Sequence, residues 1–311
     1  MKPIVIQTEN LPQECSDWLA ERCDLHICPA DSLRFKELLP KAQGLAIRTY
    51  TSVDCAMLEA APNLKVVGRA GVGVDNIDLQ SCNERGVTVV HTPEANSESV
   101  VEFVLTTMLS QLRALHYVTS AISQKEWNAL RDASVNQNEF SETTIGIIGF
   151  GRIGSRLGKM AKSMGFRVVF NDVLEIREKY ECEQVQIQHL LTECDVISIH
   201  VDGRTENNHL CNTAMFSAMK PSVLFMNASR GFIVDAYALT DFLKHNSTAH
   251  AILDVHEPEP ITNEYPLLHM PNATLYPHVA CKTKKAMLNM GWVVKDIDAV
   301  LSGKDPQYQI T

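Results

Sequence analysis

Gly149, Gly151 and Gly154 stand in GxGxxG spacing directly after the apolar run Ile145, Ile147 and Ile148, at the start of a helical stretch. This spacing suits a pyrophosphate. The first glycine makes a sharp turn, the second lets the backbone approach the phosphates, and the third lets helix and strand pack closely. Free amides at the helix start would face the negative charge. Gly165 closes the helix, a second strand follows at 167–170, and Asp172 stands at its end, about twenty residues past the turn. An acid there accepts the two hydroxyls of an adenosine ribose and repels an added phosphate. A lone GxGxxG marks many ordinary turns, but with two strands, a helix and an acid in register the stretch 144–172 predicts a dinucleotide site that takes NAD.

Three later strand ends carry groups that a hydride transfer could use: Arg230 in NASRG, Glu259 in DVHEPEP and His278 in YPHVA. Reducing a 2-oxo acid needs a hydride donor, a proton donor at the carbonyl oxygen, and a cation that holds the carboxylate. A nicotinamide supplies the hydride. Histidine is the natural proton donor near neutral pH. A carboxylate beside it, for which Glu259 is the candidate, would favour the charged ring and fix its orientation. Arg230 can grip a carboxylate with two parallel hydrogen bonds. Taken singly, Arg230 also reads as a solvated turn residue, Glu259 as a loop charge and His278 as a satisfied histidine; their joint position downstream of the dinucleotide pattern favours the chemical reading. Earlier in the chain, Arg48-Thr49 ends one strand, and Ala70-Gly71-Val72-Gly73 ends another. The second could offer successive amides to an anion or be a plain glycine turn.

These residues need a scaffold of alternating strands and helices. Short β-like runs at 4–7, 25–28, 45–48, 65–70 and 87–92 alternate with helical stretches at 12–22, 31–39, after Asp54, and at 79–84. This rhythm implies a parallel sheet covered on both faces, with function at the carboxyl ends of its strands. One long helix is expected from 96 to about 117. An exposed connection over 128–142, with Trp127 before it and Asn136, Gln137 and Asn138 within it, should lead to the Ile145 strand. Beyond Asp172 the alternation resumes, with strands at 196–200, 223–227, 251–255 and 274–279 and a final helix at 282–301. If that helix folds back on the first domain, the domain is discontinuous.

At 311 residues the chain has room for about two domains. With 45% hydrophobic and 21% charged residues it has the composition of a soluble globular protein. A net charge of -9 argues against a nucleic-acid partner, which would need a basic face. The start lacks a long apolar segment and no stretch reaches the length of a membrane span, so no membrane association and a cytoplasmic location are expected. Nine scattered cysteines without CxxC pairs fit reduced thiols, with no metal site expected.

The segments GFGRIG, NASRGFIVD, DVHEPEP and PHVA, preceded by GRAGVGVDNID and HTPEANSESVVE, resemble the NAD-dependent D-2-hydroxyacid dehydrogenase family, in order and over nearly the whole chain. The resemblance implies an α/β protein with an inserted Rossmann dinucleotide-binding domain at 98–281. A discontinuous flavodoxin-like substrate domain would be formed by 1–97 and 282–311, and a homodimer would form through the Rossmann domain. It implies roles for Arg230 as the substrate-orienting arginine, Glu259 as the partner of the histidine, and His278 as the acid/base. Val72 and Gly73 would fall in the substrate-carboxylate loop, Asp254 near the nicotinamide carboxamide, and Arg152 and Ile153 over the pyrophosphate.

Two departures bear on specificity. Where the family usually has a proline two residues after the histidine of VISIH, this chain has Asp202, followed by Gly203 and Arg204. The glycine usual after the acid/base histidine is replaced in Ala280-Cys281-Lys282, with Lys284 and Lys285 beyond; these lysines read as a solvated helix face or as an attraction for a doubly charged substrate. The expected reaction interconverts a D-2-hydroxy acid and a 2-oxo acid. Arg48 matches the arginine that phosphoglycerate dehydrogenases place near the substrate phosphate, so 3-phosphoglycerate and phosphohydroxypyruvate are one expectation and hydroxypyruvate or glyoxylate the other. As the sequence ends at Thr311, soon after the last helix, the regulatory domain that many phosphoglycerate dehydrogenases carry is not expected. A reading of another class is an NAD-sensing scaffold akin to corepressors of this fold.

Overall fold

The structure, a computed structural model, describes residues 2–113, 115–135 and 138–310. Asn136 and Gln137 lie outside the described residues. The chain forms two compact units, one of Met1–Ser97 with Cys281–Thr311 and one of Glu98–Ala280.

The first unit holds five parallel strands, β1 (Ile4–Gln7), β2 (Asp24–Ile27), β3 (Gly44–Ile47), β4 (Val66–Arg69) and β5 (Thr88–His91), in the order β2-β1-β3-β4-β5. Because successive side chains point to opposite faces, the apolar runs feed two cores. Ile6, Leu45, Ile47, Val67 and Val89 pack with Phe35 and Leu58 on one side. Val5, Ala46, Val66 and Val90 pack with Leu19, Val293, Val294 and Ile297 on the other. Ser32, Asp54 and Asp78 cap three of the crossover helices through their side chains.

The second unit holds β6 (Thr144–Ile148), β7 (Arg167–Asn171), β8 (Glu183–Gln184), β9 (Val196–Ile199), β10 (Leu224–Asn227), β11 (His250–Leu253) and β12 (Ala273–Leu275). All are parallel, in the order β12-β11-β10-β9-β6-β7-β8. The chain runs outward from β6 through β7 to β8, then returns to β9 on the other side of β6. This reversal opens a crevice beyond the carboxyl end of β6, the place where open α/β sheets bind ligands. Ile148 is level with Asn171 and Ile199, Asn227 is level with Ile199 and Leu253, and Leu253 is level with Leu275. Gly149, Asp172, His200, Ala228, Asp254 and Tyr276 therefore follow their strands in one row.

Four local expectations are corrected. The helix expected from 96 to about 117 is Ser97–Leu112; beyond it Leu115 and Tyr117 are exposed, so no core continues the apolar pattern. The connection expected over 128–142 is largely exposed among its described residues, but its first part belongs to the helix Gln124–Ala133, started by a reciprocal capping box between Ser123 and Glu126. The strand expected to reach Val279 ends at Leu275, before Pro277, which has no N–H for a ladder. The final helix is two helices, Lys284–Gly291 and Val294–Leu301. Gly291 lies so close to Pro12 and Cys15 that a Cβ there would stand 2.8 Å from each. Trp292, just beyond it, meets Trp18 edge-on.

Candidate active site

The glycine turn is built as its spacing predicts. Gly149 has φ 88°, a conformation side chains rarely adopt, and a Cβ there would meet the His200 backbone at 2.7 Å. A Cβ on Gly154 would run into the Gly149 carbonyl oxygen. Around Gly151 nothing lies within 4 Å of where a Cβ would be, which leaves a ligand room to reach the backbone. Gly151 is the N-cap of the helix Arg152–Ser163 and no side chain caps it, so the first amides of that helix face outward. Arg152 and Ile153 form its first turn. The Asp172 carboxylate accepts the Phe150 N–H at 2.7 Å and the Leu174 N–H at 2.9 Å. An open glycine, a helix start without a side-chain cap and a level acid together fit a dinucleotide.

The ends of β10, β11 and β12 carry the other predicted groups. His278 Nδ1 lies 2.8 Å from Glu259 Oε2. A carboxylate only accepts, so Nδ1 carries the hydrogen and Nε2 is the nitrogen left to exchange a proton. The other oxygen of Glu259 accepts the His256 backbone N–H at 2.9 Å. Burial pushes the Glu259 carboxyl up, but the bonds from His278 and His256 outweigh it and hold the group below its ordinary value.

His278 has φ 54°, and Asp254 holds it there. The Asp254 carbonyl accepts the His278 N–H at 2.8 Å, and its carboxylate oxygens accept the N–H groups of Val279 at 2.7 Å and Ala280 at 2.8 Å. Asp254 is 1% exposed, and burial raises its carboxyl above the usual range despite those bonds.

Arg230 follows a tight turn organised by Asn227. The Asn227 side chain accepts from Ser229 N at 3.0 Å and from Ser229 Oγ at 2.6 Å, and donates to the Arg230 carbonyl at 2.8 Å. The Arg230 guanidinium donates to the Ser229 carbonyl at 2.7 Å. Gly231 next to it presses on the His256 backbone, where a Cβ would collide with the carbonyl.

In the first unit, Arg48 follows β3, and Val72 and Gly73 lie in the loop after β4. The N–H groups of Arg48, Thr49, Tyr50 and Thr51 all donate to the Glu9 carboxylate, at 3.0 to 3.2 Å. Those amides are therefore taken, and the Arg48 guanidinium lies against the Asn10 carbonyl and the Met287 sulfur. Asp202 and Arg204 form a two-point ion pair on side chains more than half exposed. Lys282, Lys284 and Lys285 are exposed. Among the described residues no group of His, Cys, Asp and Glu could hold a metal ion, and no helix is long and apolar enough to cross a membrane.

The sequence reading missed Glu9, Asn227 and His256. Asn227 had a signal, since asparagine two residues before serine is an Asx-turn pattern. His256 had none. It is buried, donates from Nε2 to the Tyr276 carbonyl at 2.8 Å and meets the Tyr265 hydroxyl at 3.2 Å through Nδ1, with both ring nitrogens occupied.

With this geometry in view, the sequence profile described as D-isomer specific 2-hydroxyacid dehydrogenase, NAD binding domain, matches residues 105–280. The chain belongs to the D-isomer-specific 2-hydroxyacid dehydrogenase family. Within this family it is 33% identical over 298 residues to a D-3-phosphoglycerate dehydrogenase of Archaeoglobus fulgidus, covering 94% of this chain and 56% of the relative. It is 32% identical to a hydroxypyruvate reductase of Thermotoga maritima, covering 91% of this chain and 93% of the relative. The chain thus spans little more than half the length of the first of these relatives. Among solved structures of the family, D-lactate dehydrogenase of Aquifex aeolicus, complexed with NAD and lactic acid, superposes with a TM-score of 0.81 at 26% identity over 96% of each chain. The family match makes the second unit an NAD binding domain.

Proposed function

We propose that the chain is an NAD-dependent dehydrogenase that interconverts a D-2-hydroxy acid and its 2-oxo acid, with Arg230, Glu259 and His278 as its catalytic residues. The observation that carries this reading is the 2.8 Å contact between His278 Nδ1 and Glu259 Oε2, which leaves Nε2 to exchange the proton. Hydride transfer is the chemistry the cofactor supplies when bound. Gly149, Gly151, Arg152, Ile153 and Gly154 would hold its pyrophosphate, Asp172 would read its ribose, and Asp254, which clamps the turn that carries His278, would serve its carboxamide end. His278 gives a proton to the carbonyl oxygen in reduction and takes it back in oxidation. Glu259 keeps the ring in the tautomer with hydrogen on Nδ1. Arg230 holds the carboxylate and polarises the carbonyl, and Val72 and Gly73 are substrate-binding residues through their amides.

Arg48 favours a substrate with a second negative charge, so phosphohydroxypyruvate and 3-phosphoglycerate come first, with hydroxypyruvate and glyoxylate as the alternative. A homodimer is supported by the helix Gln124–Ala133, which buries none of its residues and leaves Trp127 48% exposed. The test is NADH oxidation with phosphohydroxypyruvate, hydroxypyruvate, glyoxylate and pyruvate. Turnover of phosphohydroxypyruvate well above the others is expected. Background rates with every acid, together with an NADH-dependent protein partner, would overturn the enzyme reading in favour of a scaffold.

A further inference from the structure

We infer that His91 is a positioning residue for the substrate carboxylate, because its ring turns the Val72 peptide so that two consecutive backbone N–H groups face an anion. The inference rests on the function proposed above. His91 is the last residue of β5 and is level with Arg69, the last residue of β4, so its side chain reaches the loop that follows β4. His91 Nδ1 lies 2.8 Å from the Val72 carbonyl oxygen. A carbonyl only accepts, so Nδ1 carries the hydrogen. The neighbouring Gly71 carbonyl accepts the Thr92 N–H at 3.1 Å.

In a planar trans peptide the carbonyl and the following N–H point in opposite directions. With the Gly71 and Val72 carbonyls both turned toward the end of β5, the N–H groups of Val72 and Gly73 both point away from it. Among the described residues, no backbone hydrogen bond uses either of them as a donor. Two adjacent amides with one heading suit the oxygens of a carboxylate. The Thr92 bond is made by backbone and survives any substitution, whereas the His91 bond depends on the side chain. His91 thus governs the second amide, that of Gly73.

The test uses the full chain labelled with ¹⁵N and titrated with oxamate, a 2-oxo acid mimic whose binding is read without turnover. In the wild type, the Val72 and Gly73 amide resonances should move on saturation. His91→Leu should bind oxamate about tenfold more weakly, while His91→Asn, which keeps an N–H donor, should stay within about threefold of the wild type. NADH affinity should be unchanged in both variants, which separates positioning from misfolding. Wild-type affinity in His91→Leu, equal weakening in His91→Asn, loss of NADH binding in either variant, or still amides in the wild type would overturn the inference. Oxamate binding without turnover of any 2-oxo acid would instead sink the enzyme reading and leave the role of His91 standing.

Discussion

Asp172 and Phe150 are joined by a 2.7 Å hydrogen bond from the Phe150 N–H to the Asp172 carboxylate, which ties the acid at the end of β7 to the glycine turn at the end of β6. A carboxylate has about four acceptor positions. Two are used by backbone N–H groups, of Phe150 and Leu174, and the rest suit the paired hydroxyls of a ribose. The same acid thus shapes the glycine turn and, on the function proposed above, would also read the sugar.

Replacing Asp172 with alanine should weaken NADH binding about tenfold, the effect of losing one hydrogen bond to a charged group. It should also narrow the preference for NADH over NADPH, because the repulsion of a 2′-phosphate disappears. Fluorescence titration with both cofactors measures this, and an unchanged ratio would exclude Asp172 as the ribose reader.

Glu259→Gln tests the histidine's partner. The glutamate uses one oxygen for His278 and the other for the His256 N–H. Glutamine has a single oxygen and cannot serve both. We expect kcat to fall about 100-fold, the lower range for general acid–base catalysis, with NADH affinity kept. The lowered carboxyl of Glu259 also sets a sign for stability. Its contribution is full above the ordinary carboxylate range and is lost progressively as pH falls from that range through the lowered value. Urea unfolding at pH 7 and pH 4 should show a smaller acid loss in the variant than in the wild type.

Asp254→Asn should destabilise the fold more than its small chemical change suggests. Both carboxylate oxygens accept backbone N–H groups in a buried place, and asparagine would turn an N–H₂ toward one of them. An unmet buried donor costs about 1 to 3 kcal/mol. Chemical denaturation should report a loss in that range, and a variant as stable as the wild type would show that the turn does not depend on the clamp.

His200 gives a second acid-sensitive element. Its Nε2 is 2.8 Å from Ser198 Oγ, its Nδ1 is enclosed, and burial pushes the ring down to about 4. A histidine lowered in the fold contributes stability above its ordinary value near 6.5, and that stability is lost as pH falls toward 4. Between those limits the wild type should lose up to about 1.4 kcal/mol per pH unit that His200→Gln does not. Parallel slopes for the two proteins in urea unfolding would refute this.

What could be read from the sequence was what the backbone demands locally. Gly149 and Gly154 are needed by a turn and a close approach, and both needs are written in their spacing. The strands were readable because β3 and β6 form short apolar runs. The capping box at Ser123 was equally local, as serine followed three residues later by glutamate, but the polar composition around it suggested a loop. Other features are not local. Glu9 serves amides 39 to 42 residues away, the last helix breaks where Gly291 meets Pro12 and Cys15, and the left-handed turn at His278 depends on Asp254. Such features arise only when distant segments meet.

The returning end of the chain also sets an order of events during synthesis. Residues 98–280 form their unit from one continuous stretch, whereas the unit that begins the chain lacks Val293, Val294 and Ile297 in its core, and the contact of Ile297 with Gly68, until its closing segment arrives. Of these two units, the one whose translation starts first is the one completed last, and until then one face of its sheet lacks the helix Val294–Leu301 that shares in covering it.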